Sequence, residues 1–320
     1  MPAEPKELVL GGQAVIEGVM MKGAEIYAVA VRKAGGEILV RDFPLARGGV
    51  QRRFSKTPVV RGVVTMVAML VIGYRALQFS ADEAIADAEA EEAKAKGKAA
   101  PRKDGGAEGG GLAMAGALAL ALLLAVGLFF WLPLVATRGI SAIVPALSGR
   151  IAFNLVDGVV RVLVFVGYVL AIGAIRDIRR IFQYHGAEHK VVNAYERKAD
   201  LSPESVASFS CLHPRCGTSF LLFVMVISIV VFSFIPHESS LATKALMRLL
   251  LLPAVAGISY EVLRLSARKA DSPVFRAVIA PGLLLQRLTT REPDLPQIEV
   301  AIASFRRVAP GGVTEAGLVG

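Results

Sequence analysis

Residues 112–137 and 217–236 contain no charged side chain. A helix needs about 20 predominantly apolar residues to cross a bilayer, and both stretches reach that length. Two more apolar runs, about 151–175 and 242–264, carry only a few charges. Of the 320 residues 54% are apolar, and the mean hydropathy is +0.55; a soluble domain sits near 45–50% apolar. A purely soluble enzyme and a disordered binder are both excluded. The expected fold is a mostly α-helical integral membrane protein with four transmembrane helices.

The charges inside these runs are few enough to consider singly. Asp157 and Arg161 lie four apart on one helical face and can neutralise each other. Arg248 and Glu261 fall towards the ends of their run, where charged tips are expected to reach water. Trp131 stands where an interfacial anchor belongs. Residues 62–74 are different, with Arg61 and Arg75 flanking only thirteen uncharged residues. That is short for a crossing and suits a re-entrant or interfacial segment.

The net charge of +9 would suggest nucleic acid in a soluble protein. In a membrane protein it reads as topology, because Lys and Arg accumulate in cytoplasmic segments. The loop 176–216 holds seven Lys/Arg and the region from 264 onward eight, against two each in 137–150 and 237–248. Four spans then place both termini and the 176–216 loop in the cytoplasm, with the lipid bilayer as the first partner and no specific nucleic acid. The first residues lack a basic stretch followed by an apolar core, so no cleavable signal peptide is expected.

The remaining pieces give the domain plan. Residues 1–56 form a β-rich unit on the cytosolic side, in which 27–32 and 37–43 flank a turn containing Gly35-Gly36. Residues 57–81 form the interfacial or re-entrant helix. An Ala/Glu/Lys helical extension fades into the Gly-rich linker of 82–111. Residues 112–265 are the four-span domain, including the loop 176–216. In the tail, 266–320, Asp294-Leu-Pro-Gln297 precedes Ile298, Ala301, Ile302 and Phe305. An Asp cap, an early Pro and a reciprocal Gln ahead of helically spaced apolar residues predict an amphipathic helix.

Five of the six His and Cys residues fall between His185 and Cys216, while His237 stands apart in an outer loop. In Tyr184-His185-Gly-Ala-Glu188-His189-Lys190, the two His lie one helical turn apart, which suits two imidazoles on one metal. The order is the H-x-x-E-H pattern of inverted zinc peptidases, in which the Glu works on the activated water. Glu196, seven residues beyond His189, falls on the same face and is a candidate carboxylate ligand. His213 and Cys216, across a Pro-containing turn, make the second half of a tetrahedral site, and Cys211 is a further thiolate candidate. A pair of hydrogen-bonded interfacial histidines is the bland alternative. A Cys211–Cys216 disulfide is disfavoured in a reducing cytoplasm.

GGQAVIEGVMMKG (11–23), YHGAEHK (184–190), HPRCGTSF (213–220), SYE (259–261) and LTTREP (288–293) resemble the signatures of the YqhQ family of bacterial membrane proteins. The likeness covers nearly the whole chain except 82–111 and the extreme ends. It implies a bacterial cytoplasmic membrane protein, described only as a predicted metal-dependent enzyme without a substrate. Cys211 lies outside the core of its motif and is the weaker ligand candidate.

Gln13 and Glu17, four apart in a strand-like run, would share one face of a strand. They point either at the site or into a docking network. Neither a phosphate loop nor a G-x-S-x-G elbow is present. The leading expectation is a membrane-embedded zinc hydrolase at the cytoplasmic surface, with His185, His189 and some of His213, Cys216 and Glu196 as ligands and Glu188 as base. The alternatives are a non-catalytic scaffold, with a closed metal site and a cytosolic protein partner, and a small transporter built on Asp157 and Arg161.

Overall fold

The computed structural model describes residues 11–45, 54, 56–97, 110–236, 239–269 and 272–309. Four antiparallel strands form a meander in sequence order, β1 (Gly11–Val15), β2 (Gly18–Lys22), β3 (Ile26–Arg32) and β4 (Ile38–Pro44). The β3–β4 hairpin is the expected one, with Gly36 at φ 91° in its turn, where a side chain would be strained.

Alternation along the strands gives the sheet two apolar faces. Val15, Met20, Tyr27, Val29 and Val31 pack on Ala76 and Phe79 of helix α1 (Val60–Ala95). On the other face Val19, Met21, Ala28 and Ala30 meet α5 (Arg176–Glu196) and α10 (Leu295–Val308). The small Ala28 and Ala30 let α10 come close, and Ser304 Oγ donates to the Ala28 carbonyl at 3.0 Å. α10 begins as its sequence predicts. Gln297 N donates to Asp294 Oδ1 at 2.9 Å and Asp294 N to Gln297 Oε1 at 3.0 Å, closing a capping box.

The apolar helices are α2 (Gly110–Val126), continued through a π turn at Gly127–Trp131 into α3 (Leu132–Ile143), then α4 (Arg150–Gly173), α7 (Gly217–Phe232) and α8 (Leu241–Arg268). Between them lie α6 (Pro203–Ala207) and, after α8, α9 (Pro273–Thr289). Gly158 lets α4 and α7 touch, since a Cβ there would lie 2.3 Å from Ile229. Four helices are long and apolar enough to cross a membrane, spanning Val60–Ala95, Ala119–Ile143, Arg150–Gly173 and Leu241–Ser266.

By length and composition alone the number matches expectation, but 60–95 stands in the set in place of 217–236. The 217–236 run ends its helix at Phe232, after 16 residues, because Ser233 to Pro236 turn out of it. Residues 62–74 are the first half of a continuous 36-residue helix. No breaker follows Arg75, and the Ala/Glu/Lys segment extends the helix to Ala95; the rest of the expected linker, 98–109, lies outside the described residues, as does His237. Arg248 is also corrected. It does not reach water but is buried at 2% exposure, where Asp157 accepts a hydrogen bond from it at 2.9 Å.

Replacing Asp294 by Ala removes the acceptor from the first turn of α10 and should lower stability by about 1 kcal/mol, whereas Asn should retain most of it. Thermal unfolding of the purified protein checks the difference.

Candidate metal centre

α5 carries the H-x-x-E-H motif on its buried face, and three other segments close around it. β1 approaches from the sheet, the Cys211–Cys216 loop leads into α7, and the end of α9 continues into residues 290–293 alongside α5. His185, His189 and Cys216 present ligand atoms within 4.8 Å of one another. His185 Nε2 lies 3.2 Å from Cys216 Sγ.

The imidazoles are oriented from behind. His185 Nδ1 is 2.8 Å from the Thr289 carbonyl, and His189 Nδ1 is 2.5 Å from the Cys211 carbonyl. A carbonyl can only accept, so each Nδ1 carries the proton and donates. The Nε2 lone pairs are thereby directed inward, an arrangement typical of metal-ligating histidines. Cys216 caps α7, and its sulfur accepts from Thr218 N at 3.4 Å.

Glu188 is buried beside this cluster. Its Oε1 accepts from the Gly12 N–H at 2.9 Å, and its Oε2 has no partner among the described residues. Burial raises its pKa above the usual carboxylate range, against the pull of His185, the Gly12 N–H and His213. Gly12 is required for the approach, because a Cβ there would stand 2.9 Å from the Glu188 carboxyl carbon and 2.5 Å from the Met20 carbonyl. Burial lowers the pKa of His189 and of His213, opposed by Cys216 for the first and by Glu188 for the second.

The other candidates sit further out. His213 lies against His189, ring centroids 5.9 Å apart, but its Nε2 faces Glu196 at 3.3 Å. Glu196 also pairs with Arg215, so its carboxylate is already neutralised and lies outside the three-residue cluster. Cys211 points away, with its thiol 3.2 Å from Glu292; burial, then that carboxylate, pushes its pKa up to about 12. A thiol held protonated is a poor ligand. Cys211 and Cys216 are both free, so no disulfide joins them.

Gln13 and Glu17 do not share a strand face, because β1 ends at Val15 and Glu17 occupies the β1–β2 turn at φ 50°. Glu17 pairs with Arg180, and Tyr184 Oη donates to it at 3.2 Å. Gln13 abuts Gly73 of α1. Both dock the sheet, and it is the backbone of Gly12 that reaches the site.

Several supporting residues carried no sequence signal of their own. Gln286 is fully buried on α9, accepting from His213 N at 2.9 Å and donating to its carbonyl at 2.8 Å. Lys190 donates to the Ala207 and Phe209 carbonyls and pairs with Glu292 at 2.6 Å, fixing the loop that carries Cys211. At Gly186 a Cβ would lie 2.1 Å from the Arg291 carbonyl. A lone amide at the end of the apolar stretch 277–285 was the available hint for Gln286, and the LTTREP motif was the one for the segment beside Gly186.

These geometries define a mostly helical protein with four helices long and apolar enough to cross a membrane, and with a His/His/Cys cluster beside a small sheet. The chain belongs to the family described as protein of unknown function (DUF1385), whose match covers residues 57–310. It is similar to the uncharacterized protein YqhQ of Bacillus subtilis (strain 168), with 33% identity over 304 residues, 93% of this chain and 91% of that protein. No solved structure matches it significantly.

In the metal-free protein, Glu188 keeps in the folded state a proton that the unfolded chain releases. Its contribution is whole below the ordinary carboxylate range and is lost as pH rises through the raised value. His189 acts oppositely, losing stability as pH falls from 6.5 through its lowered value. Glu188→Gln should therefore remove the part of the loss that sets in as pH rises above the ordinary carboxylate range and leave the loss below pH 6.5 from His189, as measured by melting chelator-treated protein across pH.

Proposed function

We propose that this chain is a multi-pass protein of the bacterial cytoplasmic membrane and a metal-dependent hydrolase with its site at the cytoplasmic surface. One observation carries the metal assignment. Two imidazole lone pairs and a sulfur converge within 4.8 Å, and the thiol has a single proton to place between them. A divalent cation satisfies all three donors, and the His/Cys mixture suits Zn²⁺. Three protein ligands leave a fourth position open, which is the pattern of catalytic sites.

Zn²⁺ bound there would polarise a carbonyl or phosphoryl oxygen and lower the pKa of a water. Glu188 would hold the transferred proton on Oε2, the oxygen without a partner among the described residues, while the Gly12 N–H fixes Oε1. The Thr289 and Cys211 carbonyls keep both imidazoles in the binding tautomer. The scaffold alternative has its own support in His213, which lies beside His189 and would complete a closed site. A transporter is less well supported, since Asp157 is tied to two arginines on two helices.

Membrane insertion is supported by the exposure of Leu120, Leu122, Leu123 and Leu124, which would otherwise face water. α1 fits a surface-lying helix. Its start meets Gly257 to Glu261 of α8, its Gly73 abuts β1, and Val67, Leu70, Val71 and Tyr74 face outward.

Purified protein should contain about one Zn²⁺ per chain. His185→Ala, His189→Ala and Cys216→Ser should each lose it, and His213→Ala should retain it. Glu188→Gln should keep metal and fold yet fail to complement a bacterium deprived of its own family member. Full function of that variant would leave the metal as a structural staple. The orientation is checked by single cysteines at Ala146 and Ser239 in a variant lacking Cys211 and Cys216. Both should react with an impermeant reagent on intact cells.

A further inference from the structure

A second polar centre lies away from the candidate metal centre, among α4, α7 and α8. Asp157 accepts from Arg161 at 2.7 Å through Oδ2 and from Arg248 at 2.9 Å through Oδ1. All three residues are buried. Arg161 also donates to Ser228 Oγ at 2.9 Å, and both guanidinium carbons lie 5.2 Å from the centroid of the Phe232 ring. The Nε of each arginine has no partner among the described residues.

Among the described residues the charge does not balance. One carboxylate offsets one guanidinium, so the triad is left with one positive charge. Lys244, one turn before Arg248 and over the Phe153 ring at 4.7 Å, brings a second. An uncompensated charge among apolar helices is costly. Beside Arg248 and Lys244 is a small cavity of about 10 Å³, lined also by Asn154, Phe153, Phe232 and Ile235. That is room for about one oxygen atom. Ile151 and Leu155 on α4 and Met247 and Leu249 on α8 are exposed, so the neighbouring surface suits acyl chains rather than water.

The geometry points to a binding site for the phosphate of an anionic phospholipid, one oxygen entering the cavity towards Arg248 and Lys244 while the rest of the lipid lies against α4 and α8. The ligand supplies the missing negative charge. A zwitterionic lipid has the same phosphate but no net charge, and free phosphate has the charge but no chains.

The test uses the full-length protein in a neutral detergent, melted with phosphatidylglycerol, with phosphatidylcholine or with inorganic phosphate. Phosphatidylglycerol should raise the midpoint by roughly 5 °C at saturation, and the other two should raise it much less. Arg248→Met leaves the neutral Asp157–Arg161 pair and should abolish the shift. If that variant does not fold, Lys244→Gln, at the rim, should reduce the shift by half or more. Glu238 lies outside the described residues, and Glu238→Gln should preserve the shift. An equal response to phosphatidylcholine, or an unchanged one in Lys244→Gln, would overturn the site. An equal response to inorganic phosphate would overturn the lipid as its source. A response seen only in Glu238→Gln would make that carboxylate the natural counter-charge and likewise overturn the proposal.

Discussion

Burying the Glu188 carboxyl is the step that constrains the structure around it. A carboxyl removed from water must be hydrogen-bonded, neutralised or both. Here one oxygen is met by the Gly12 N–H, across 176 residues of chain. That bond requires β1 to lie against α5 with no side chain at Gly12. The sheet is held in that register by Glu17 on Arg180 and Tyr184 at one end, and by Gln13 against Gly73 on its other face. Between these polar fastenings Val19 and Met21 pack with Ala187 and Val191. The N-terminal sheet is therefore part of the site's wall, although it contributes no ligand.

What could be read from the residues follows from the range of the interactions involved. The capping box of α10, the β3–β4 hairpin and the one-turn spacing of His185 and His189 are local, and local patterns are visible in a linear chain. The convergence of Cys216 on those histidines was foreshadowed by clustering alone. Pairings over long separations were not legible. Arg248 looked like a terminal charge because its partner, Asp157, is 91 residues away. Gln286 clamps His213 over 73 residues. Glu17 was assigned to the wrong element because a two-residue turn between apolar strands reads as continuous strand. Glu196 lay on the expected side of α5, but Arg215, supplied by another segment, decides what its carboxylate does.

The site also depends on where the apolar helices stop. α4 breaks at Ala174 and Ile175, and α5 starts immediately with Arg176, turning from an apolar helix to one that packs on the sheet. Cys216 is the N-cap of α7, so its position is set by where that helix begins. On the opposite side, Gly282 of α9 meets Ser219 closely enough for Gln286 to reach both Ser219 and His213. Thr289 is the last residue of α9 and Cys211 lies in the loop before α7, and their backbone carbonyls orient the two histidines.

α7 links this site to the arginine triad. Ser228, which contacts Arg161, is twelve residues from Cys216, or about 18 Å along a helix. Sixteen residues rise only about 24 Å, less than the roughly 30 Å hydrocarbon thickness, so lipid burial alone does not fix the depth of the short helix. Its ends are instead held by polar contacts, Cys216 to the histidines and Ser228 with Phe232 to the arginines. The triad fixes α4, α7 and α8 relative to one another, and α4 leads directly into α5. Any sliding of α7 against α4 would then have to break the buried hydrogen bond from Arg161 to Ser228 before it moved Cys216 relative to His185. A ligand set drawn from two segments needs such support to keep its geometry within a fraction of an ångström.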